Sequence, residues 1–286
     1  MLFRTEIKLK SINRKISVED KIFSIGSCFA SEMHNIFTTG KIQTLNNPFG
    51  TIFHPIAINT VFQRIYLEQN YTEKDLINYS DQFISLDHST IFDNSKIEIC
   101  LEKINSNLEL AKNFLKQTKW IIITFGTSWI YEFIENNKIV ANCHKIPQKF
   151  FNKRLLTFCE IYNAISETLQ IFKKISPDIQ ILLSISPVRH LKDGFIENQI
   201  SKSLLINAIH NAIEIFDNCH YLPVYEIIMD DLRDYRFYKE DLIHPNHQAI
   251  SYIWEKFSKA FISQDAINFI NTNLKLDKFL QHKPIN

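Results

Sequence analysis

Lys21-Ile-Phe-Ser-Ile-Gly-Ser-Cys-Phe-Ala30 is an apolar run that stops at a glycine, meets a serine and passes at once into a helical pattern. Ala30, Met33 and Phe37 carry that pattern on at helical spacing. The stretch predicts a strand, a tight turn and a helix start, with Ser27 in the turn. Ser27 then has its hydroxyl at the C-terminal edge of a strand. Its N–H falls among the unsatisfied donors of a helix N-terminus, where negative charge is favoured. Such a place suits a nucleophile whose attack creates an oxyanion. It equally suits a plain N-cap, the usual role of serine there.

Outward from this stretch, strand and helix patterns alternate. Lys41–Leu45 reads as a second short strand, stopped by Asn46-Asn-Pro-Phe-Gly50. Pro55 opens a helix whose apolar stripe is Ile58, Val61, Phe62 and Ile65. Residues 70–100 read as an irregular insertion with one short helix or hairpin. Leu101, Ile104, Leu108, Ala111 and Leu115 step by three and four as a helix. The run Trp120-Ile-Ile-Ile-Thr-Phe125 does not alternate, as expected of a parallel strand covered on both faces. Residues 131–141 predict a hairpin, and Leu155–Leu169 a helix. Ile179–Ile185 follows as the fourth strand, Leu204–Ile215 as a helix and Tyr221–Val224 as the fifth strand. Asp230 to Pro245 is a polar, aromatic loop, and Gln248–Phe261 a closing amphipathic helix. The expectation is one doubly wound, three-layer α/β domain with a five-stranded parallel sheet over residues 1–262, and a helical tail over 263–286.

Composition narrows the function. The 286 residues are 45% hydrophobic, enough for a sizeable core, and 32 Lys and Arg nearly cancel 31 Asp and Glu. With no basic block, neither a nucleic acid nor a membrane surface is an expected partner. Five cysteines without CxxC spacing fit a reducing compartment, and charges interrupt the N-terminal segment where a signal peptide needs its apolar core. A cytoplasmic protein is expected.

In an open parallel sheet, ligands bind beyond the carboxyl ends of the strands. The unusual residues collect there: Ser27, Gly50, Gly126-Thr-Ser128, Ser186-Pro-Val-Arg-His190, and Asp241 with His244. Asp241 and His244 are three apart, so one helical turn makes their side chains neighbours. A carboxylate then holds the imidazole N–H and leaves the other ring nitrogen to take a proton from Ser27. The competing reading is an Asp that caps its turn and a His that merely precedes a proline. Cys28 is read as a buried packing residue, because consecutive side chains diverge and only one of Ser27 and Cys28 faces a given base. His144 has two readings, a pocket lining and a structural one. Arg189 has two as well: a clamp for a substrate carboxylate or phosphate, or an anchor for the long loop through Asp230, Asp231 or Asp234. Asp241, His244 and His247 step by three as metal ligands on one turn would, but Pro245 interrupts the helix. No metal or cofactor is expected.

Ile25-Gly-Ser-Cys-Phe-Ala30 resembles the signature of the GSCFA family, a branch of the SGNH/GDSL-type serine hydrolases. The likeness continues through Asn47-Pro-Phe-Gly50, Phe125-Gly-Thr-Ser128, Asn142-Cys-His-Lys145, Ser186-Pro-Val-Arg-His190, Asp231-Leu-Arg-Asp-Tyr-Arg-Phe237 and Asp241-Leu-Ile-His-Pro245. It implies a flavodoxin-like fold and a serine esterase mechanism. Ser27 would be the nucleophile, His244 the base and acid, and Asp241 its orienter. The N–H groups of Ser27 and Gly50 would receive the oxyanion. Where the wider superfamily has an additional asparagine donor, this chain has Ser128. The resemblance leaves Thr127, Ser128 or Asn142 to replace that donor. The expected activity is a metal-independent removal of an acyl group from an oxygen ester, with a small-molecule or carbohydrate ester as substrate. Acyl transfer at the same site, or a non-catalytic sugar-binding module, are the alternatives.

Overall fold

The computed structural model describes residues 5–281. In chain order its first elements are β1 (Lys21–Gly26), α1 (Cys28–Thr39), β2 (Thr44–Asn46), α2 (Pro55–Tyr66), the hairpin β3 (Ile77–Tyr79) and β4 (Gln82–Ile84), and α3 (Ile97–Leu115). The middle of the chain holds β5 (Thr118–Phe125), β6 (Trp129–Phe133), β7 (Lys138–Val140), β8 (Phe151–Leu155), α4 (Phe158–Ile175) and β9 (Gln180–Ile185). Then come α5 (Phe195–Ile213), β10 (Cys219–Leu222), the single turn α6 (Val224–Glu226), α7 (His247–Phe261) and α8 (Gln264–Gln281).

Five strands form one parallel sheet in the order β10-β9-β5-β1-β2. Their apolar residues alternate between two cores, because successive side chains of a strand point to opposite faces. Phe23, Ile25, Ile121, Ile123, Ile181 and Leu183 pack under α2, α3, α4 and α5. Ile22, Trp120, Ile122 and Leu182 pack on the other face under α1, α7 and α8. Both faces are thus covered, and the strands read as continuous apolar runs for that reason. Each fully buried Ile or Phe contributes about 1.5–3 kcal/mol.

The structure departs from the sequence reading at several elements. The second strand is displaced to Thr44–Asn46. Leu155 ends strand β8 rather than starting a helix; β8 joins β6 and β7 in an antiparallel sheet that local periodicity did not reveal. Helix α5 starts at Phe195 rather than Leu204. Its first turns carry exposed Phe195 and Ile196 and buried Asn198, Ser201 and Lys202, so polarity there runs against the usual inside–outside rule. The insertion holds the β3–β4 hairpin, packed on the β6–β7–β8 sheet in a small third core. Helix α8 is tied to the domain by Ala266 and Ile270, both in the second core. Among the described residues, no helix is long and apolar enough to cross a membrane.

Candidate active site

Ser27 stands between β1 and α1. It occupies the N-cap position, yet its side chain makes no capping bond. The residue is 5% exposed, and its Oγ has no hydrogen-bond partner among the described residues. An unpaired buried hydroxyl is costly, so its presence calls for a use. The turn that holds it needs Gly26. This residue has φ +136°, and a Cβ would collide with Thr124 O. Gly26 N–H donates to Asn47 Oδ1 at 2.8 Å, and Ser27 N–H to Thr124 O at 3.0 Å, so the ends of β1, β2 and β5 are stitched together beneath the serine.

The Asp241–His244 pair comes from the other end of the chain, and no hydrogen bond joins it to Ser27 Oγ. His244 Nδ1 lies 2.7 Å from Asp241 Oδ2, while Asp241 Oδ1 accepts the N–H groups of Ile243 at 2.8 Å and His244 at 2.9 Å. One carboxylate therefore caps its turn and holds the imidazole at once. Those two backbone N–H groups, then the imidazole, pull the Asp241 carboxyl down to about 2. Leu242 between them is left-handed, with φ +56°. Arg189 braces it: Nε donates to Leu242 O at 3.1 Å and Nη2 donates to the same carbonyl, with the guanidinium over the rings of Tyr235 at 5.1 Å and Tyr238 at 4.8 Å. Cys28, Glu32, Val188, Asp241, His244 and Ile250 are among the residues that line a cavity of about 300 Å³. Ser27 is the residue before the Cys28 of that wall.

Cys28 is exposed, not buried as the sequence reading had it. Ser27 is buried, and Cys28, the next residue, is among those that line the cavity. Arg189 forms no ion pair with Asp230, Asp231 or Asp234, and its guanidinium donates to the loop at Leu242 O. Thr127 and Ser128 side chains turn toward α5, not toward Ser27. Thr127 Oγ1 is 3.0 Å from Ser201 Oγ, and Ser128 Oγ donates to Ser201 O at 2.8 Å. Asn142 spends its Oδ1 on the His144 N–H at 2.8 Å. His144 is buried in a separate knot, with Nδ1 3.0 Å from Asp93 Oδ2 and Nε2 2.9 Å from Ser85 O, so it ties the insertion to the β6–β8 sheet. Gly50 is left-handed at φ +75°; a Cβ there would strike Ser89, and its N–H donates to Asn47 O at 2.8 Å.

His190 lies in the loop between β9 and α5. Its ring packs on Phe53 at 5.5 Å, its Nε2 is buried without a partner among the described residues, and burial, aided by Lys202, draws its pKa down to about 4. Three groups were missed from the sequence: Asn198, Ser201 and Lys202. With Leu205 they fall on one buried face of α5, and the i, i+3, i+4, i+7 spacing of polar with apolar residues was the available signal. Asn198 Oδ1 accepts the His190 N–H at 3.0 Å, and Lys202 Nζ donates to Gly126 O at 2.6 Å and Ser186 O at 2.8 Å. Burial lowers the Lys202 pKa to about 7. Among the described residues, no group of three His, Cys, Asp or Glu side chains is placed to hold a metal ion.

The chain matches none of the curated proteins. Solved structures of similar course include a family 3 carbohydrate esterase of Clostridium thermocellum, 8% identical over 89% of this chain and 98% of that one, with a TM-score of 0.40. Another is a family 3 carbohydrate esterase of Talaromyces cellulolyticus, 6% identical over 88% and 99%, TM-score 0.40. A third is a Corynascus thermopiles (Myceliophthora fergusii) family 2 carbohydrate esterase with its carbohydrate-binding domain, 12% identical over 90% and 69%, TM-score 0.42. The sequence itself is more specific: the model of the GSCFA family matches residues 21–257, from the first residue of β1 to near the end of α7, and the chain belongs to that family.

Proposed function

We propose that the protein is a serine esterase of SGNH type that removes an acyl group, acetyl in the first instance, from an oxygen ester of a carbohydrate. The observation that carries this reading is a buried Ser27 hydroxyl with no hydrogen-bond partner among the described residues, next in sequence to Cys28, which lines a cavity together with the preformed Asp241–His244 pair. In this reading Ser27 Oγ attacks the ester carbonyl carbon and gives its proton to His244 Nε2. The tetrahedral oxyanion then collapses, and the leaving alcohol takes the proton back from His244. Water activated by the same imidazole releases the acyl group from Ser27 as a carboxylate. If a sugar hydroxyl replaces that water, the site becomes an acyltransferase. Tyr235 and Phe195, 60% and 65% exposed around Arg189, supply aromatic faces on which a sugar ring can lie.

The test is labelling with a fluorophosphonate probe and turnover of an aryl acetate, with Ser27→Ala as control. Labelling of the wild type that disappears in Ser27→Ala is expected. Undiminished labelling in that variant would sink the assignment. Because Cys28 faces the cavity, Cys28→Ala is measured beside it: labelling lost there and kept in Ser27→Ala would make the thiol the nucleophile. A chain that turns over no ester but melts higher with an acetylated sugar would instead be a binding module.

A further inference from the structure

The N–H groups of Ser27 and Gly50 already donate to Thr124 O and Asn47 O. Another donor must therefore meet the charge that develops on the substrate oxygen, and the end of β5 has one. β5 and β9 pair with Phe125 opposite Ile185, and Ser186 N–H donates to Phe125 O at 2.7 Å. In a parallel ladder a residue bonds the neighbours on either side of its opposite number, so the next bond would run from Thr127 N–H to Ser186 O. It is not made. Ser186 O accepts from Lys202 Nζ instead, and Gly126 O accepts from the same nitrogen. Thr127, 6% exposed, is left with an N–H that makes no hydrogen bond among the described residues. Buried N–H groups without a partner are rare in folded proteins. The Gly126–Thr127 peptide is trans, so this N–H points opposite to the Gly126 carbonyl, away from Lys202. The strand on that side of β5, away from β9, is β1, which ends at Gly26, the residue before Ser27.

We propose that Lys202 is a positioning residue of the esterase site. It withdraws two carbonyls from the ladder and so presents the Thr127 N–H as a donor to the oxyanion formed on Ser27. This rests on the esterase reading above. Ser201 supports the same arrangement: its Oγ takes the Ser128 N–H at 2.6 Å and lies 3.0 Å from Thr127 Oγ1, so α5 holds the loop on both sides of the donor. Lys202 is 1% exposed, and an ammonium there is strongly desolvated. A methionine would fill the same space without that cost.

The experiment compares wild type with Lys202→Met for aryl acetate turnover and for binding of phenylboronic acid, which forms a tetrahedral adduct on a reactive serine. The variant should lose about 10²-fold in kcat and a similar factor in boronate affinity, the effect of losing one oxyanion donor, with KM nearly unchanged. Unchanged kcat and boronate affinity would overturn the proposal; so would a fall in kcat with boronate affinity intact, which marks mere loosening. The wild type labelled with 15N-threonine gives a second measurement that needs no folded variant. The Thr127 amide proton should move downfield on boronate binding, and a stationary resonance would overturn the proposal. A wild-type chain that neither labels nor turns over the ester would overturn the esterase reading, and this assignment with it.

Discussion

Burying a hydroxyl without a partner costs about 1–3 kcal/mol, and Ser27 Oγ is in that state. Ser27→Ala is therefore expected to unfold at the same or a higher denaturant midpoint than wild type while losing all turnover; a clear drop in midpoint would mean that the hydroxyl holds the fold. Asp241 shows the opposite balance, since one oxygen caps the turn and the other holds the imidazole. Asp241→Asn keeps an acceptor for the turn but loses the carboxylate that fixes and charges the imidazole. Its kcat should fall by about 10³–10⁴, read in steady-state kinetics, with the fold retained. The folded Asp241 carboxyl titrates below its ordinary value, so its contribution to stability is complete above about pH 4 and is lost as pH falls toward about 2.

At the scale of elements, the crevice depends on two loops and one helix that reach it from different directions. The loop carrying Asp241 and His244 has a left-handed Leu242, whose carbonyl is taken by Arg189 from the end of β9. Arg189→Ala should let that turn relax and misplace the imidazole, lowering kcat by about 10–10²-fold while the melting temperature stays close to wild type. Equal loss of activity and stability would show that Arg189 serves the fold alone. The β1–α1 turn is less forgiving. Gly26→Ala puts a methyl against Thr124 O at a φ that side chains rarely adopt, and should cost at least about 2 kcal/mol in urea unfolding.

Over the whole molecule, stability is coupled to buried imidazoles far apart in the chain. Burial lowers His54 to about 4, His88 to about 3 and His190 to about 4. The unfolded chain protonates each near 6.5, so between these values it binds more protons than the folded chain, and stability falls as pH drops from about 6.5 to about 4. Each imidazole adds a slope of up to about 1.4 kcal/mol per pH unit. Urea midpoints at pH 7 and pH 5 should differ accordingly; equal midpoints would contradict the burial of these rings. Helix α8 joins the second core through Ile270, which packs against Gly40 at the end of α1. Ile270→Ala should cost about 2–5 kcal/mol in a single transition, whereas a tail independent of the domain would leave the transition unmoved.

Most of the sheet was legible in the chain because its signals are local. A parallel strand covered on both faces is a continuous apolar run, and a helix start follows Gly26-Ser27 within a few residues. The Asp241–His244 pairing is local too, since three residues of one turn carry it. The tertiary structure alone decided the rest. The start of α5 was hidden because its buried polar residues answer to carbonyls at the ends of β5 and β9, not to any pattern of its own. Strand β8 was hidden because its partner is β6, reached through an intervening hairpin. Cys28 faces a cavity whose opposite wall comes from residues more than two hundred positions away. The N–H of Thr127 has no partner among the described residues, and the Ser186 carbonyl that a continued ladder would offer it accepts from Lys202. A hydrogen bond made by one group and denied to another depends on where several distant segments meet, and no window of sequence contains them all.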